Sequence, residues 1–454
     1  MKLHTKVLLG SLLICAGAPA WSGSLQWSLE TRIRAETLDG QFRAELQGSD
    51  QLILARTLAT LVAQQNSLAL NIELQDSRSY HGDYGTPMSS SLVNPLDVLQ
   101  AYVVYEGLPG ILGTDSQSLI KVGRQTVSIG SKRQIERVNF ANVIKSYTGA
   151  HIISTDGAND ELHLLVVTPI RRMPNDIDSL LDNAMVFDGE QWRRKIWALH
   201  YRRATFALSQ QEALSAEAFV YGLTENDTAT VVTQRRALRT FGFRLYRAPA
   251  MGIWDLDIEA AWRRGSRLAE SAHDLPNRDS LAVRAWMGVA QIGRTFAVKG
   301  RSRLALEYYF ASGDRNPHDG NYEQYERLFG ARRTDLNNTS LHGPMTPANL
   351  SAPALRFETN FGAEHDLRLK YTMPSLASAT DSWSVAKLRD RSGLSGKRLG
   401  HALDTRWRYR PSNFQLELES GLSIFWFGEF AKNVAGGPQA AKALYSYVQV
   451  SYQF

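Results

Sequence analysis

The chain has 454 residues, of which 43% are hydrophobic and 21% are charged, and its formal net charge is +6. Its 10 Trp, 17 Tyr and 17 Phe residues exclude an intrinsically disordered protein, and beyond the first twenty residues no run of about 18 apolar residues could form a transmembrane helix. The mean hydropathy of −0.28 is that of a soluble protein, but it does not exclude a membrane β-barrel, because alternating apolar and polar residues cancel in an average.

The N-terminal residues 1–20 have the features of a secretory signal peptide. Lys2 and Lys6 supply positive charge, residues 7–16 form an apolar core, and Ala-Pro-Ala at 18–20 is a small-x-small cleavage site. We therefore expect an exported protein. A buried N-terminal helix is the alternative interpretation.

The predicted mature chain, 21–454, has no cysteine and a nearly balanced charge. The only cysteine, Cys15, lies in the signal peptide, which suits a bacterial envelope protein better than a small disulfide-stabilised scaffold. Removing Lys2 and Lys6 lowers the net charge from +6 to +4. This excess is too small to indicate a nucleic-acid partner.

Apolar and polar residues alternate along the mature chain. The clearest runs are residues 25–35, 254–263, 303–310, 365–371, 403–409 and 414–424. Because successive strand side chains point to opposite faces, each run predicts a strand with one apolar and one polar face. We count about 18 such segments (16–19) of roughly ten residues, the length that crosses a bilayer when tilted. They predict an all-β fold, a single transmembrane antiparallel β-barrel over 21–454.

The connections between the predicted strands divide into short and long ones. Turns such as 248–252 and 411–413 suit the periplasmic side of a barrel. Longer breaks run over about 79–96, 131–148, 169–191, 312–352 and 427–441. Long segments without periodicity are usually functional. We expect them to be external loops that partly fill the lumen.

The C-terminal residues 444–454 resemble the last strand of bacterial outer-membrane proteins. Phe454 ends the chain, with Tyr452, Val450 and Val448 on the same face. The resemblance implies that this strand closes the barrel and is recognised by the barrel assembly machinery. A soluble sandwich or propeller is the alternative, but charged polar faces and terminal Trp and Tyr residues on the apolar faces favour a barrel in a membrane.

Several sequence blocks resemble the alginate-export family of Gram-negative outer-membrane β-barrels. They are DVLQAYVVY at 97–105, KVGRQTVSIGSKRQIERVNFANVIKSYTG at 121–149, ASGDRNPHDGNYEQYERLFG at 311–330 and LASATD at 376–381. Gly330 departs from the pattern, which usually has Pro there. The resemblance implies an integral outer-membrane barrel of about eighteen strands, with a lumen narrowed by loops and an arginine-rich constriction for an anionic polysaccharide or another anionic solute.

Arginines are the candidate solute-binding residues, because a guanidinium group binds carboxylates in a bidentate manner. By the family resemblance, the candidates in the constriction are Arg124, Arg133 and Arg137. Alternatively, Arg124 pairs with a carboxylate and braces the wall, while Arg133 and Arg137 are solvated loop residues. The alternation of apolar and polar residues independently places six further cations on the polar faces of predicted strands. In a barrel these faces line the lumen. The six cations are Arg32, Arg34, Arg368, Lys370, Arg406 and Arg408. Acidic residues share these faces, so a mixed lumen is expected.

The sequence gives little support for an enzyme or a metal site. It has no G-x-S-x-G or H-E-x-x-H motif and no cysteine nucleophile in its mature part. Four strand histidines lack metal-ligand spacing: His163, His200, His365 and His401. The stretch around Asp314 and Asp319 departs from the EF-hand pattern, which leaves a Ca²⁺ site there an open question.

The sequence therefore predicts a passive channel of the Gram-negative outer membrane with no cofactor, no metal and no enzymatic activity. The expected solute is an anionic polysaccharide such as alginate or its oligomers, or a small anionic or polar solute. A barrel enzyme of the lipase or protease type, a general structural porin and a soluble secreted β-protein acting on polysaccharide are the alternatives. The other expected partners are outer-membrane lipid and, through Phe454, the assembly machinery, and coupling to periplasmic secretion components stays open.

Overall fold

The computed structural model describes residues 23–46, 48–209, 212–228, 231–269, 279–297 and 300–454. The predicted signal peptide, 1–20, lies outside the described residues. The strands and helices, in chain order, are β1 (Ser24–Asp39), β2 (Ser49–Gln65), β3 (Leu68–Tyr80), β4 (Asn94–Pro109), β5 (Gln117–Gln125), β6 (Tyr147–Thr155), β7 (Glu161–Arg171), α1 (Ile177–Leu181), β8 (Gly189–Glu190), β9 (Arg194–Ser209), β10 (Glu212–Glu225), β11 (Ala237–Arg247), β12 (Trp254–Leu268), β13 (Ser280–Phe296), β14 (Ser302–Ala311), β15 (Asn321–Tyr322), β16 (Leu350–Phe361), β17 (His365–Thr372), β18 (Gly400–Tyr409), β19 (Leu416–Phe427), α2 (Glu429–Asn433) and β20 (Lys442–Gln453).

Eighteen of these strands form one closed antiparallel barrel. The two-residue strands β8 and β15 lie in long connections and add only short pairings to β7 and β13. Every other strand pairs with its neighbours in chain order, and β1 pairs with both β2 and β20, so the sheet has no free edge. The predicted fold class is confirmed. Neither described helix is long and apolar enough to cross a membrane.

The alternation of the sequence separates an apolar outer face from a charged inner face. In β12, Trp254, Ile258 and Trp262 are exposed on the outside, whereas Asp255 and Glu259 are each no more than 2% exposed. Strands β13 and β14 alternate in the same way. Two opposed faces therefore explain a mean hydropathy that looks soluble.

Long and short connections alternate around the barrel, and the five predicted long breaks coincide with five of the long connections. The short ones are 66–67, 110–116, 156–160, 210–211, 248–253, 297–301, 362–364 and 410–415. The long ones are 40–48, 81–93, 126–146, 172–193, 226–236, 269–279, 312–349, 373–399 and 428–441. Both ends of the barrel sequence, at β1 and β20, lie on the side of the short connections.

Two long connections fold into the barrel interior. We call residues 126–146 the first inner segment and residues 312–349 the second inner segment. They meet at a bridge between Ile135 and Phe329, and Ile135 is 1% exposed. In the second segment, Leu341 is fully buried. Apolar side chains of both segments join those of the wall in one core, so loops partly fill the lumen, as expected.

Candidate functional site

The inner wall is lined by ion pairs of both signs. Glu307 of β14 pairs with Lys370 of β17 and with Arg356 of β16, both at 2.6 Å. Asp255 pairs with Arg303 at 2.5 Å. Because neighbouring strands bring these charges opposite one another, the expected mixed lumen forms a ladder of balanced pairs. Such pairs strengthen the wall and leave little free charge for a solute.

Arg133 of the first inner segment is surrounded by three carboxylates. Its guanidinium lies 2.8 Å from Asp257, 2.8 Å from Glu259 and 2.9 Å from Asp335. Burial alone lowers the pKa of Arg133, but the carboxylates, Asp335 foremost, raise it well above its usual value. Arg133 therefore joins both inner segments to β12. Its single positive charge faces three negative carboxylates.

Arg124 and Arg137 also have acidic partners. Arg124, at the end of β5, lies 2.9 Å from Glu190 and 3.5 Å from Asp97. Arg137 lies 2.9 Å from Glu73 of β3. These contacts favour the bracing interpretation of Arg124. They also show that Arg137 is a partner of the wall and not a fully solvated loop residue.

Arg32 and Arg34 of β1 hold the first inner segment by its backbone. Arg32 donates to the carbonyl oxygens of Asn139 and Ala141 at 2.8 and 2.9 Å. Arg34 donates to the carbonyl oxygen of Phe140 at 2.7 Å and pairs with Glu36. Both arginines lie on the inner face, as the period-two pattern predicts, but their donors are used for anchoring.

The four candidate cations of β17 and β18 also face inwards. Arg406 pairs with Asp366 at 2.8 Å, and Arg408 pairs with Glu419. Lys370 belongs to the Glu307 cluster described above. Arg368 is 5% exposed, and its Nε has no hydrogen-bond partner among the described residues. The nine candidates are thus spread over separate clusters, and their role towards a solute stays a prediction.

A different group of cations surrounds a cavity at the long-connection end of β6 and β7. This cavity, which we call the cationic pocket, has a volume of about 390 Å³. Its lining residues are Ser90, Lys145, Ser146, Tyr147, Pro169, Ile170, Arg171, Arg172, Asn175, Gln191, Arg194, Arg327, Leu328 and Phe329. Lys145 comes from the first inner segment, Arg172 from the 172–193 connection and Arg327 from the second inner segment. None of the described lining residues is acidic.

Lys145, Arg172 and Arg327 have no carboxylate partner within ion-pair distance in the described part of the chain. Lys145 donates to the carbonyl oxygen of Phe329 at 3.0 Å, and Arg172 to that of Val143 at 3.3 Å. Burial, followed by the charges of Arg327 and Arg172, lowers the pKa of Lys145 well below its usual value. Burial and Arg172 likewise lower the pKa of Arg327. The pocket therefore concentrates positive charge that an anion would stabilise.

Reasoning from the sequence missed the three cations of this pocket. Lys145 and Arg327 lie inside the family-like blocks 121–149 and 311–330, which is the only signal that pointed to them. Arg172 follows the end of β7, outside any such block. Their proximity depends on two segments folding inwards, which periodicity does not report.

His163 and His200, two of the histidines without metal-ligand spacing, lie together with His151. His163 Nδ1 is 3.0 Å from His151 Nε2, and its ring is 6.1 Å from that of His200. The register places His163 of β7 directly opposite His200 of β9 and opposite Ile153 of β6, so His151, two residues before Ile153, is its diagonal neighbour on the same face. Within the described ranges, no group of three acidic or histidine side chains could hold a metal ion.

Asp314 and Asp319 are held by separate contacts. Asp314 donates its backbone N–H to Asp381 at 2.7 Å, and burial together with Asp381 raises the pKa of Asp314 to about 6. The carboxylate of Asp319 accepts from the backbone N–H of Asn321 at 2.8 Å. Asp319 thus stabilises its own turn, as short polar side chains often do.

Comparisons with known proteins agree with this architecture. A family model described as alginate export matches residues 24–443. A BenF-like porin from Pseudomonas fluorescens Pf-5 has a TM-score of 0.60 and 13% identity, covering 95% of this chain and 98% of that chain. OccK2 (OpdF) from Pseudomonas aeruginosa, solved in complex with glucuronate, has a TM-score of 0.59 and 12% identity, covering 95% and 98%.

A third structure, OccAB2 from Acinetobacter baumannii, has a TM-score of 0.58 and 11% identity, covering 94% of this chain and 98% of that chain. At such identities the likeness shows the fold, which is that of an outer-membrane porin. No curated protein matches the sequence.

Proposed function

The chain belongs to the alginate export family, and from this premise we propose that it is a passive channel of the Gram-negative outer membrane for an anionic polysaccharide such as alginate or its oligomers. One observation carries the choice of an anionic solute. Lys145, Arg172 and Arg327 surround a cavity of about 390 Å³ whose lining residues include no carboxylate. The long connections would face the exterior and the short ones the periplasm.

The chemistry of a polyuronate suits this pocket. Each sugar carries one carboxylate, and an arginine guanidinium offers it two parallel hydrogen bonds. A channel must bind its solute at several weak sites, because one tight site would prevent release. The cationic pocket supplies one such site.

Single-channel recording in planar bilayers tests the proposal. We expect anion preference and a block of the current by oligoalginate, with glucuronate as a weaker blocker and a neutral oligosaccharide of equal length without effect. The double variant Lys145→Gln/Arg327→Gln should weaken the block about tenfold or more, since each charge-assisted hydrogen bond contributes roughly 1.5–3 kcal/mol.

Arg315→Gln is the matched control for these variants. Arg315 lies in the same inner segment as Arg327, but its side chain is 79% exposed and paired with Glu323. It should leave the block unchanged. Equal block by neutral and anionic sugars would contradict the proposal and favour the general structural porin. Turnover of lipid or peptide would favour the barrel enzyme.

The C-terminal strand supports a second partner, the barrel assembly machinery. Phe454 is 60% exposed, and Tyr452, Val450 and Val448 are exposed on the same outer face of β20. An exposed terminal aromatic face is available for recognition before the strand pairs with β1. Deletion of Phe454 should lower the amount of folded barrel in the outer membrane while leaving refolding in detergent intact. Equal amounts of membrane barrel with and without Phe454 would contradict this role.

A further inference from the structure

Three arginines form a row on the outer face of the barrel. Arg239 of β11 lies opposite Arg264 of β12, which lies opposite Arg284 of β13. All three side chains are exposed. Neighbouring strands are about 4.8 Å apart, so the row is roughly 10 Å long. We call these residues the arginine row.

The arginine row is unfavourable without a ligand. Like charges directly opposite each other on antiparallel strands destabilise a sheet. Arg239 and Arg264 have no hydrogen bond or ion pair with a described residue, and Arg284 has only the electrostatic influence of Asp319. An exposed row of like charges therefore lacks an explanation within the described part of the chain.

The position of the row matches one boundary of the apolar outer band. On β13, the outward residues between Arg284 and Arg294 are Trp286, Gly288, Ala290 and Ile292, none of which is charged. Ten residues of a strand tilted by about 40° rise about 25 Å, which is the height of the lipid-facing band of a barrel. Arg284 thus lies at the headgroup level on the side of the long connections.

Aromatic side chains lie immediately below the row, towards the middle of the band. Phe241, Trp262 and Trp286 occupy the next outward register position of the same three strands. They are 48%, 43% and 45% exposed, and Trp286 stacks on Phe310 at 4.2 Å between ring centroids. Aromatic belts of this kind mark the interface between acyl chains and headgroups.

We propose that the arginine row binds the phosphate groups of a phosphorylated glycolipid in the leaflet that faces the long connections, with its acyl chains against the aromatic side chains below. Guanidinium groups bind phosphate with two parallel hydrogen bonds, and three of them in a row fit the two phosphates of a disaccharide headgroup. The inference rests on the outer-membrane placement in the proposed function, but not on the identity of the solute.

The test uses the full chain in detergent micelles and lipid A carrying two phosphates. Native mass spectrometry measures the Kd of lipid A for the wild type and for R239Q/R264Q/R284Q. We expect the triple variant and the dephosphorylated lipid each to bind about tenfold or more weakly, since charge-assisted contacts are lost. Equal binding by the triple variant, or equal binding of phosphatidylglycerol by the wild type, would overturn the inference.

Arg294→Gln is the control, because Arg294 lies on the same outer face of β13 at the opposite boundary and is held over the ring of Trp254. It should bind lipid A like the wild type. If the triple variant does not fold, the Kd of lipid A is measured for R264Q, which lies at the centre of the row. This single variant should lose less affinity than the triple variant. Block by oligoalginate, recorded in parallel, should be unchanged in the triple variant. Absence of that block in the wild type would contradict the proposed solute and leave the lipid site standing.

Discussion

Arginines inside the barrel differ in whether a carboxylate accompanies them. Arg133 has three carboxylate partners, whereas Arg327 has none among the described residues. Removing a charge from water is unfavourable unless a partner compensates for it. The paired arginines therefore serve the structure, and the unpaired cations of the pocket are the ones whose charge remains for a ligand.

Arg133→Gln should destabilise the barrel strongly. The substitution leaves the carboxylates of Asp257, Glu259 and Asp335 close together without their cation, and breaking a buried ion pair costs roughly 3–5 kcal/mol. Urea unfolding of the protein in lipid vesicles measures the change. The exposed pair of Arg315 with Glu323 supplies the control, since Arg315→Gln removes only a solvent-screened contact and should leave the free energy of unfolding nearly unchanged. A stability close to that of the wild type would show that Arg133 does not join the segments to the wall.

Lys145→Met should have the opposite effect on stability. Burial and the neighbouring arginines lower the pKa of Lys145, so its charged form opposes folding, and replacing it with an apolar chain should stabilise the protein by about 1 kcal/mol. The same variant should weaken the block by oligoalginate. Lys397→Met, at an exposed position, should change neither property. A loss of stability on Lys145→Met would contradict the absence of a compensating partner.

Asp188, which interacts electrostatically with Arg172 of the pocket, is the group expected to titrate near neutrality. Burial raises the pKa of Asp188 to about 7, with Asp97 acting in the same direction and the hydrogen bond from Met173, Arg124 and Arg172 opposing it. The folded protein therefore holds this proton more tightly than the unfolded chain. Its stability should fall as the pH rises from about 4 to about 7 and then level off.

Block by oligoalginate should consequently strengthen as the pH falls through 7. Protonation removes the negative charge of Asp188 near Arg172, while a uronate stays ionised. Asp188→Asn should abolish this step and show strong block at both pH 6 and pH 8. A step of unchanged size in the variant would assign the dependence to another group.

At the scale of the element, the inner segments are held mainly by side chains of the wall. Arg32 of β1 and Arg56 of β2 both donate to the carbonyl oxygens of Asn139 and Ala141. These side-chain hydrogen bonds hold the first inner segment in place of the backbone hydrogen bonds that would hold a strand in a sheet. The first inner segment is therefore fixed at a few points, and each point has a large effect on its position.

Arg32→Gln should loosen the first inner segment and raise the single-channel conductance. It removes charge-assisted donors to two backbone carbonyls, a loss of roughly 1.5–3 kcal/mol for each hydrogen bond. Larger and noisier current steps in planar bilayers are the expected readout. Arg294→Gln, on the outer face, should leave the conductance unchanged. A conductance equal to that of the wild type would show that this segment does not narrow the path.

At the scale of the whole molecule, closure of the barrel depends on one seam. β1 pairs with β20, with Ile33 opposite Val450. On its other side β20 pairs with β19. Closing the seam satisfies the backbone groups that an open edge would expose to lipid, where each unsatisfied group costs several kcal/mol.

Val450→Pro should prevent stable closure. Proline removes a ladder hydrogen bond and is tolerated poorly inside a sheet. The heat-resistant folded form on electrophoresis should disappear, whereas Val450→Ala should retain it. A heat-resistant Val450→Pro variant would contradict the importance of this seam.

Much of the fold could be predicted from local patterns, and most of the pocket could not. The runs around Leu304 and Leu367 alternate because one face of each strand meets lipid, so β14 and β17 were predicted correctly. The run 119–129 alternates less cleanly, since β5 ends at Gln125 and the chain then turns inwards. The alternation of apolar and polar residues also placed Arg368 and Lys370 on the inner face. It could not pair them, because an ion pair depends on strand register and on loops from distant parts of the chain.

The sequence by itself determined the barrel and the polarity of its two faces, because the period of a strand is a local property. Only the tertiary structure decided which cations are free. Arg133 and Arg327 are chemically the same side chain, and each lies in a family-like block. Inward folding of two long connections gives one of them three carboxylates and places the other in a cavity without any, since electrostatic compensation depends on distance in space and not on position along the chain.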